Sequence, residues 1–238
     1  MFRVVIILLI GFSLTSFGAE RKLDKKDEEI IEQYNLLKVK ADNGDLDAML
    51  DAFLIVYYEH PLLEDKQSEA IDFIINAAVG GNVDAQYNMG YFHLNGEVFD
   101  KNLDYAIDWF EKAQANGHKK SFLMLGVTYR HKLHQSKKNY TLYQKSQHWL
   151  EKSALVGNVD GMRLYAIGVF KYEQSKASEA VKWLKKAAEQ NDAESMRYLG
   201  IYYSLRFKHE NKNQDFVDAE YWYKKAAELG DKKSIEWP

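Results

Sequence analysis

The chain has 238 residues, no cysteine, and 35 acidic against 32 basic side chains, for a formal net charge of −3 at pH 7. Without thiols it can form no disulfide, use no thiol nucleophile and take no lipid at a lipobox cysteine. Its mild acidity argues against nucleic acid as a partner.

Residues 1–19 read as a secretory signal peptide. Arg3 gives a positive start, Val4 to Ile10 is unbroken hydrophobe, and Ser13 to Ala19 is mostly small and polar. That apolar stretch is shorter than the ~20 residues a membrane-spanning helix needs. Cleavage after Gly18 places Ser16 at the third position back, whereas cleavage after Ala19 would leave bulky Phe17 there. The expectation is an exported chain, periplasmic or secreted, with no stable membrane insertion once the leader is removed. Disulfide-rich domains are commoner among small secreted eukaryotic proteins, so a bacterial periplasm fits a cysteine-free chain better, and the sequon at Asn139-Tyr140-Thr141 is read as accidental. Losing the leader removes one charge, Arg3.

Residues 20–43 form a charged helical segment with Ile30, Ile31, Tyr34, Leu37 and Val39 as its apolar members, expected to cap the helices after it. From residue 44 to 230 one phrase recurs. Phe73, Trp109, Trp149, Trp183 and Trp222 each stand eight residues before Gly81, Gly117, Gly157, Asn191 and Gly230, and Gly44 opens the series. Such a period marks stacked helical hairpins. The expected repeats are 44–80, 81–116, 117–156, 157–190 and 191–229. Residues 230–238 make a C-terminal cap whose Trp237 is a possible seat for a partner. Only Pro61 and Pro238 occur and no Pro/Ser-rich linker divides the chain, so it reads as one array.

Within each repeat the Gly or Asn suits the left-handed conformation that ends a helix. The next residue (Asp45, Asn82, His118, Asn158, Asp192 or Asp231) is in nearly every case a good N-cap. Asp47, Asp84, Asp160 and Glu194 come next in the first turn, where the helix dipole favours acid. In this helix, A, small Ala48, Ala85, Ser121, Gly161 and Ser195 share a face with Met89, Leu125, Tyr165 and Leu199. The i, i+4, i+8 stripe packs on the partner helix. Helix B carries the aromatic, whose ring is expected to be a hydrophobic anchor between neighbouring repeats.

Gly81-Asn82-Val83-Asp84-Ala85-Gln86-Tyr87-Asn88-Met89-Gly90, with Asn95-Gly96 and Ala106-Ile107-Asp108-Trp109-Phe110-Glu111-Lys112-Ala113, resembles the Sel-1-like repeat family, a branch of the tetratricopeptide-like repeats. The resemblance covers about residues 44–238. It implies an all-α, right-handed superhelical solenoid of about five helix-turn-helix repeats. It also implies a protein partner: relatives serve as envelope adaptors, in host interaction, and as immunity proteins against lipase-type antibacterial effectors. The family's Gly-x-Gly-Val loop is reduced here to Gly96, and repeat three is stretched by Arg130 to Lys138.

Catalytic signatures are missing: the sequence has no Gly-x-Ser-x-Gly elbow, phosphate loop, His-Glu-x-x-His or dinucleotide fingerprint. Neither a cofactor nor a metal is expected, since His131 and His134 have no third ligand beside them. A cell-wall or beta-lactam hydrolase is disfavoured by the missing cysteines and the absence of a Ser-x-x-Lys motif. The face of helix A opposite its packing stripe is the better candidate. Six residues past each Gly or Asn stand Leu50, Tyr87, Leu123, Arg163 and Arg197. Ten past stand Leu54, Tyr91, Val127, Ile167 and Ile201. If helix A lines a concave wall, as the resemblance implies, these columns form an apolar groove flanked by arginines. The alternative is that the plus-ten residues pack against the next helix A. The expected protein-binding residues are Tyr87, Tyr91, Leu123, Val127, Arg163, Ile167, Arg197 and Ile201, and the partner a toxin effector or an envelope component. Two basic connections are a second candidate: Arg130, His131, Lys132, His134, Lys137 and Lys138, and Arg206, Lys208, His209 and Lys212.

Overall fold

The computed structural model describes residues 23–58, 60–136 and 139–235. The expected signal peptide, Lys137, Lys138 and Trp237 lie outside the described residues. Every regular element among the described residues is helical, and the chain divides into two compact units, Met1–Ser121 and Phe122–Pro238.

The first unit holds α1 (Lys25–Asp42), α2 (Leu46–Tyr58), α3 (Gln67–Gly80), α4 (Val83–Asn95) and α5 (Leu103–Ala115), with two single 3-10 turns before α3. Asp24 and Asp27 close a reciprocal capping box at the start of α1. That helix packs on α2. Its buried Tyr34 donates a 2.7 Å hydrogen bond to Glu69 of α3, which Lys38 also meets. Phe53, Ile74, Met89 and Phe92 fill the core. The second unit holds α6 (Ser121–Gln135), α7 (Tyr140–Leu155), α8 (Val159–Tyr172), α9 (Ala177–Ala188), α10 (Ala193–Glu210), α11 (Asn213–Glu228) and α12 (Lys232–Ile235). Leu150, Leu184 and Leu199 are fully buried in it, with Tyr165, Tyr203 and Tyr223 around them.

Turn chemistry accounts for the rhythm. Gly44, Gly81, Gly117, Gly157 and Gly230 all have positive φ, and Asn191 takes the same region at 62°. The next residue then caps helix A: Asp45 accepts from Ala48 N, Asn82 from Ala85 N, Asn158 from Gly161 N and Asp192 from Ser195 N, at 2.8 to 3.0 Å. Each such cap contributes about 1 kcal/mol. The two helices of a pair meet where helix A is smallest. A Cβ on Gly126 of α6 would stand 2.6 Å from Leu150 of α7, and one on Gly90 of α4 would stand 2.6 Å from the Phe110 ring of α5.

Two expectations are refined. The deepest position of helix B is the residue after the aromatic: Ile74, Phe110, Leu150 and Leu184 are completely buried, whereas Trp109, Trp149, Trp183 and Trp222 are half-buried. Lys112, Lys152 and Lys186 lie 4.0, 4.6 and 4.5 Å above the rings of Trp109, Trp149 and Trp183, three residues earlier on the same face. The described parts of the basic runs are mostly helix rather than connection. α6 continues to Gln135 and α10 to Glu210, so Arg130, His131, Lys132 and His134, and Arg206, Lys208 and His209, sit in helical turns. Arg, Lys and Leu propagate a helix well, and cations are favoured near its C-terminus. Among the described members of these runs only Lys212 lies in a connection, after Asn211 ends α10 with φ 51°.

Candidate functional site

The plus-six column holds consecutive hairpins together. In the first unit Tyr87 lies on the ring of His118, the residue just after the next Gly, with centroids 4.3 Å apart, while His118 Nε2 stands 3.4 Å from Asp84. Burial lowers the His118 pKa, and the Asp84 charge opposes that shift. Asn82 donates to Asp47 at 2.6 Å in the equivalent place one repeat earlier.

The second unit uses charge. Arg163 on α8 pairs with Asp160 of its own helix, with the α10 cap Asp192 at 2.5 Å and with Glu194 at 3.1 Å. Arg197 on α10 meets Glu194 at 2.9 Å and Asp231 at 3.0 Å, its Nε–H pointing off the line to Asp231, so that contact is an ion pair without an aligned hydrogen bond. Only 14% and 11% of the two arginine side chains remain exposed, and both charges are matched within the chain. Leu123 packs against the core of the second unit, and Leu50 is buried in that of the first.

The plus-ten column divides. Leu54 packs on the first core and Tyr91 is exposed beside Phe92. Val127 is half-buried on α6. Ile167 on α8 and Ile201 on α10 come together along a cleft of about 820 Å³ between those helices. Phe170, Tyr198, Tyr202 and Leu205 extend its apolar surface, with the Phe170 and Tyr202 rings stacked at 5.4 Å. The spacing of the column did not name these four, yet Phe170, Tyr198 and Leu205 lie three or four residues from Ile167 or Ile201 and so share their face, whereas Tyr202, next to Ile201, reaches the cleft from the side of α10. Lys171, Arg206, His209 and Lys212 stand around the opening with one acid, Glu210, which Lys212 meets. Arg206 reaches Asp215 at 3.2 Å and lies 5.6 Å from the Tyr202 ring. Such a surface offers apolar contact area with hydrogen-bond donors at its margin, the pattern of a peptide- or helix-binding groove. Among the described residues no cluster of His, Asp and Glu could hold a metal ion, and no helix is long and apolar enough to cross a membrane.

Comparison with known proteins gives a consistent result. The Sel1 repeat model matches residues 83–118, 124–158, 161–192 and 193–231. A chitin synthase regulator of Saccharomyces cerevisiae is 37% identical over 81 residues, which span 33% of this chain and 11% of the regulator. An ERAD-associated E3 ubiquitin-protein ligase component of Arabidopsis thaliana is 26% identical over 71% of this chain and 26% of its own length. The chain thus spans about a quarter or less of these curated relatives. The crystal structure of a Sel1 repeat protein from Oxalobacter formigenes superposes with a TM-score of 0.59 at 21% identity, covering 84% of this chain and 79% of that one, a likeness of fold.

Proposed function

As the chain belongs to the Sel1 repeat family, whose arrays are protein-interaction scaffolds, we propose that it is an exported, non-enzymatic protein that binds one protein partner through the exposed face of its A helices. The observation that carries this reading is the cleft in which Ile167 and Ile201, from consecutive A helices, meet Phe170, Tyr198, Tyr202 and Leu205 beneath a largely cationic margin. Tyr91 belongs to the same face of the first unit, while Arg163, Arg197 and Tyr87 brace the helices that carry it. In its narrower form the proposal is an immunity protein: one tightly held toxin effector of the lipase type, met in the periplasm after cleavage near Gly18. The cysteine-free single array and the family resemblance support that form.

The test is capture of partners from a periplasmic extract of the source by the chain without its leader, beside Ile167→Asp and Ile201→Asp. One stoichiometric, salt-resistant partner whose lipase activity the chain inhibits, lost in both variants, is the expected result. Several weak envelope partners would make the protein an adaptor instead. Equal capture by wild type and variants would remove the cleft from consideration.

A further inference from the structure

Among the described arginines, Arg163, Arg197 and Arg206 each stand beside at least two carboxylates. Arg130 has none. It projects from α6 into the second unit beside Leu133, Tyr143, Gln147, Ile167, Lys171 and Tyr172. Its Nη1 is buried without a hydrogen-bond partner. Burial pushes the guanidinium below its ordinary pKa, and the nearby Tyr198 and Tyr172 act against that shift. Arg130 is half-buried as a residue, and a cation with one covered donor and no carboxylate beside it gains from an incoming carboxylate. Ile167 and Lys171 line both the small space beside Arg130, about 20 Å³, and the α8–α10 cleft, so the guanidinium adjoins the protein-binding cleft. A space of that volume admits one oxygen-sized group, a water or a single carboxylate oxygen, and is too small for a phosphate. Lys171, also without a carboxylate partner, lies 5.2 Å from the Tyr172 ring and adds a second positive charge at this end.

We propose that Arg130 is the charged anchor of the cleft: it receives a side-chain carboxylate from the partner, whose docking segment is therefore acidic as well as apolar. This rests on the protein-binding reading and adds to it the chemistry of the segment bound. The apolar side chains of that segment cover Ile167, Ile201 and Tyr202, while its Asp or Glu meets the half-buried Arg130 guanidinium from the cleft side. The low local polarity strengthens the charge-assisted bond relative to water.

A displayed library of random 12-residue peptides, selected on the chain without its leader, supplies the probe. The strongest selected peptide is then titrated against wild type, Arg130→Met and Ile201→Asp, and thermal unfolding of each protein is recorded. The expected result is a consensus combining Asp or Glu with apolar residues, bound about ten- to a hundredfold more weakly by Arg130→Met. Arg130→Met should melt no lower than wild type, because it keeps the apolar stem and removes a half-buried charge that has no carboxylate beside it. A purely structural arginine would lower the melting temperature and leave affinity alone. An apolar consensus without acid, lost in Ile201→Asp but unchanged in Arg130→Met, overturns the role of Arg130 and leaves the cleft standing. Peptide binding unchanged in Ile201→Asp, or no selection at all, overturns both.

Discussion

Replacing Arg163 by Met tests whether the plus-six arginines hold consecutive repeats together. The side chain keeps its methylene packing but loses the cation that faces Asp160, Asp192 and Glu194. Asp192, whose side chain is 16% exposed, would then be left largely buried beside Glu194. An exposed pair is worth about 0–1 kcal/mol, and breaking a fully buried one costs about 3–5 kcal/mol. With both partners mostly covered, about 2 kcal/mol is expected, or a melting temperature lower by about 4–8 °C for a chain of this size. Asp192→Asn retains an oxygen for the cap on Ser195 N while removing the charge, so a double-mutant cycle in urea isolates the ion pair. Its coupling should reach about 1 kcal/mol. Arg163→Met within about 0.5 kcal/mol of wild type, or a cycle without coupling, would refute that bracing role. Arg163→Glu is expected to be worse still, since it adds a fourth carboxylate to the cluster, and a binding defect in that variant would therefore not report on a groove.

Gly126→Val directs a side chain into Leu150, which a Cβ alone would approach to 2.6 Å; about 1–3 kcal/mol of destabilisation in urea is expected. Asn191 sits at φ 62°, so Asn191→Gly should leave stability nearly unchanged whereas Asn191→Ala costs about 1 kcal/mol. His118 and His93 are both held below the ordinary value of 6.5 by burial, so the unfolded chain binds protons more readily than the folded one. Their stabilisation is complete above that value and is lost as pH falls through it toward their folded pKa values. Melts at successive pH values should show this decline, and His118→Phe, which keeps a ring against Tyr87, should flatten part of it.

The frame of the fold was legible because each helix end is written in local chemistry: Gly or Asn with positive φ, then an Asp or Asn cap. The basic runs after Tyr129 and Leu205 were misleading since nothing in them breaks a helix before Ser136 and Asn211, and charge alone does not mark a loop. The columns placed Ile167 and Ile201 correctly on one face, but whether an arginine is free or paired depends on residues about a repeat away. Arg163 meets Asp192 and Arg197 meets Asp231 across sequence separations that no helical wheel displays. The orphaned donor of Arg130 was hidden for the same reason, since an unmet bond is visible only once every neighbour has been placed.

The caps of helix A serve two masters. Asp192 starts α10 through Ser195 N and at the same time takes Arg163 from the helix before; Asn82 starts α4 through Ala85 N and gives its amide to Asp47. Fraying of a helix start and separation of two neighbouring hairpins are therefore one event rather than two. A stack with only nearest-neighbour contacts can melt piecemeal from its ends, but the residues shared at the α2–α4 and α8–α10 seams tie the opening of one hairpin to the next there. Hydrogen exchange at Ser195 N should accordingly slow and quicken in step with the amides of α8, as if the two helices shared a single latch.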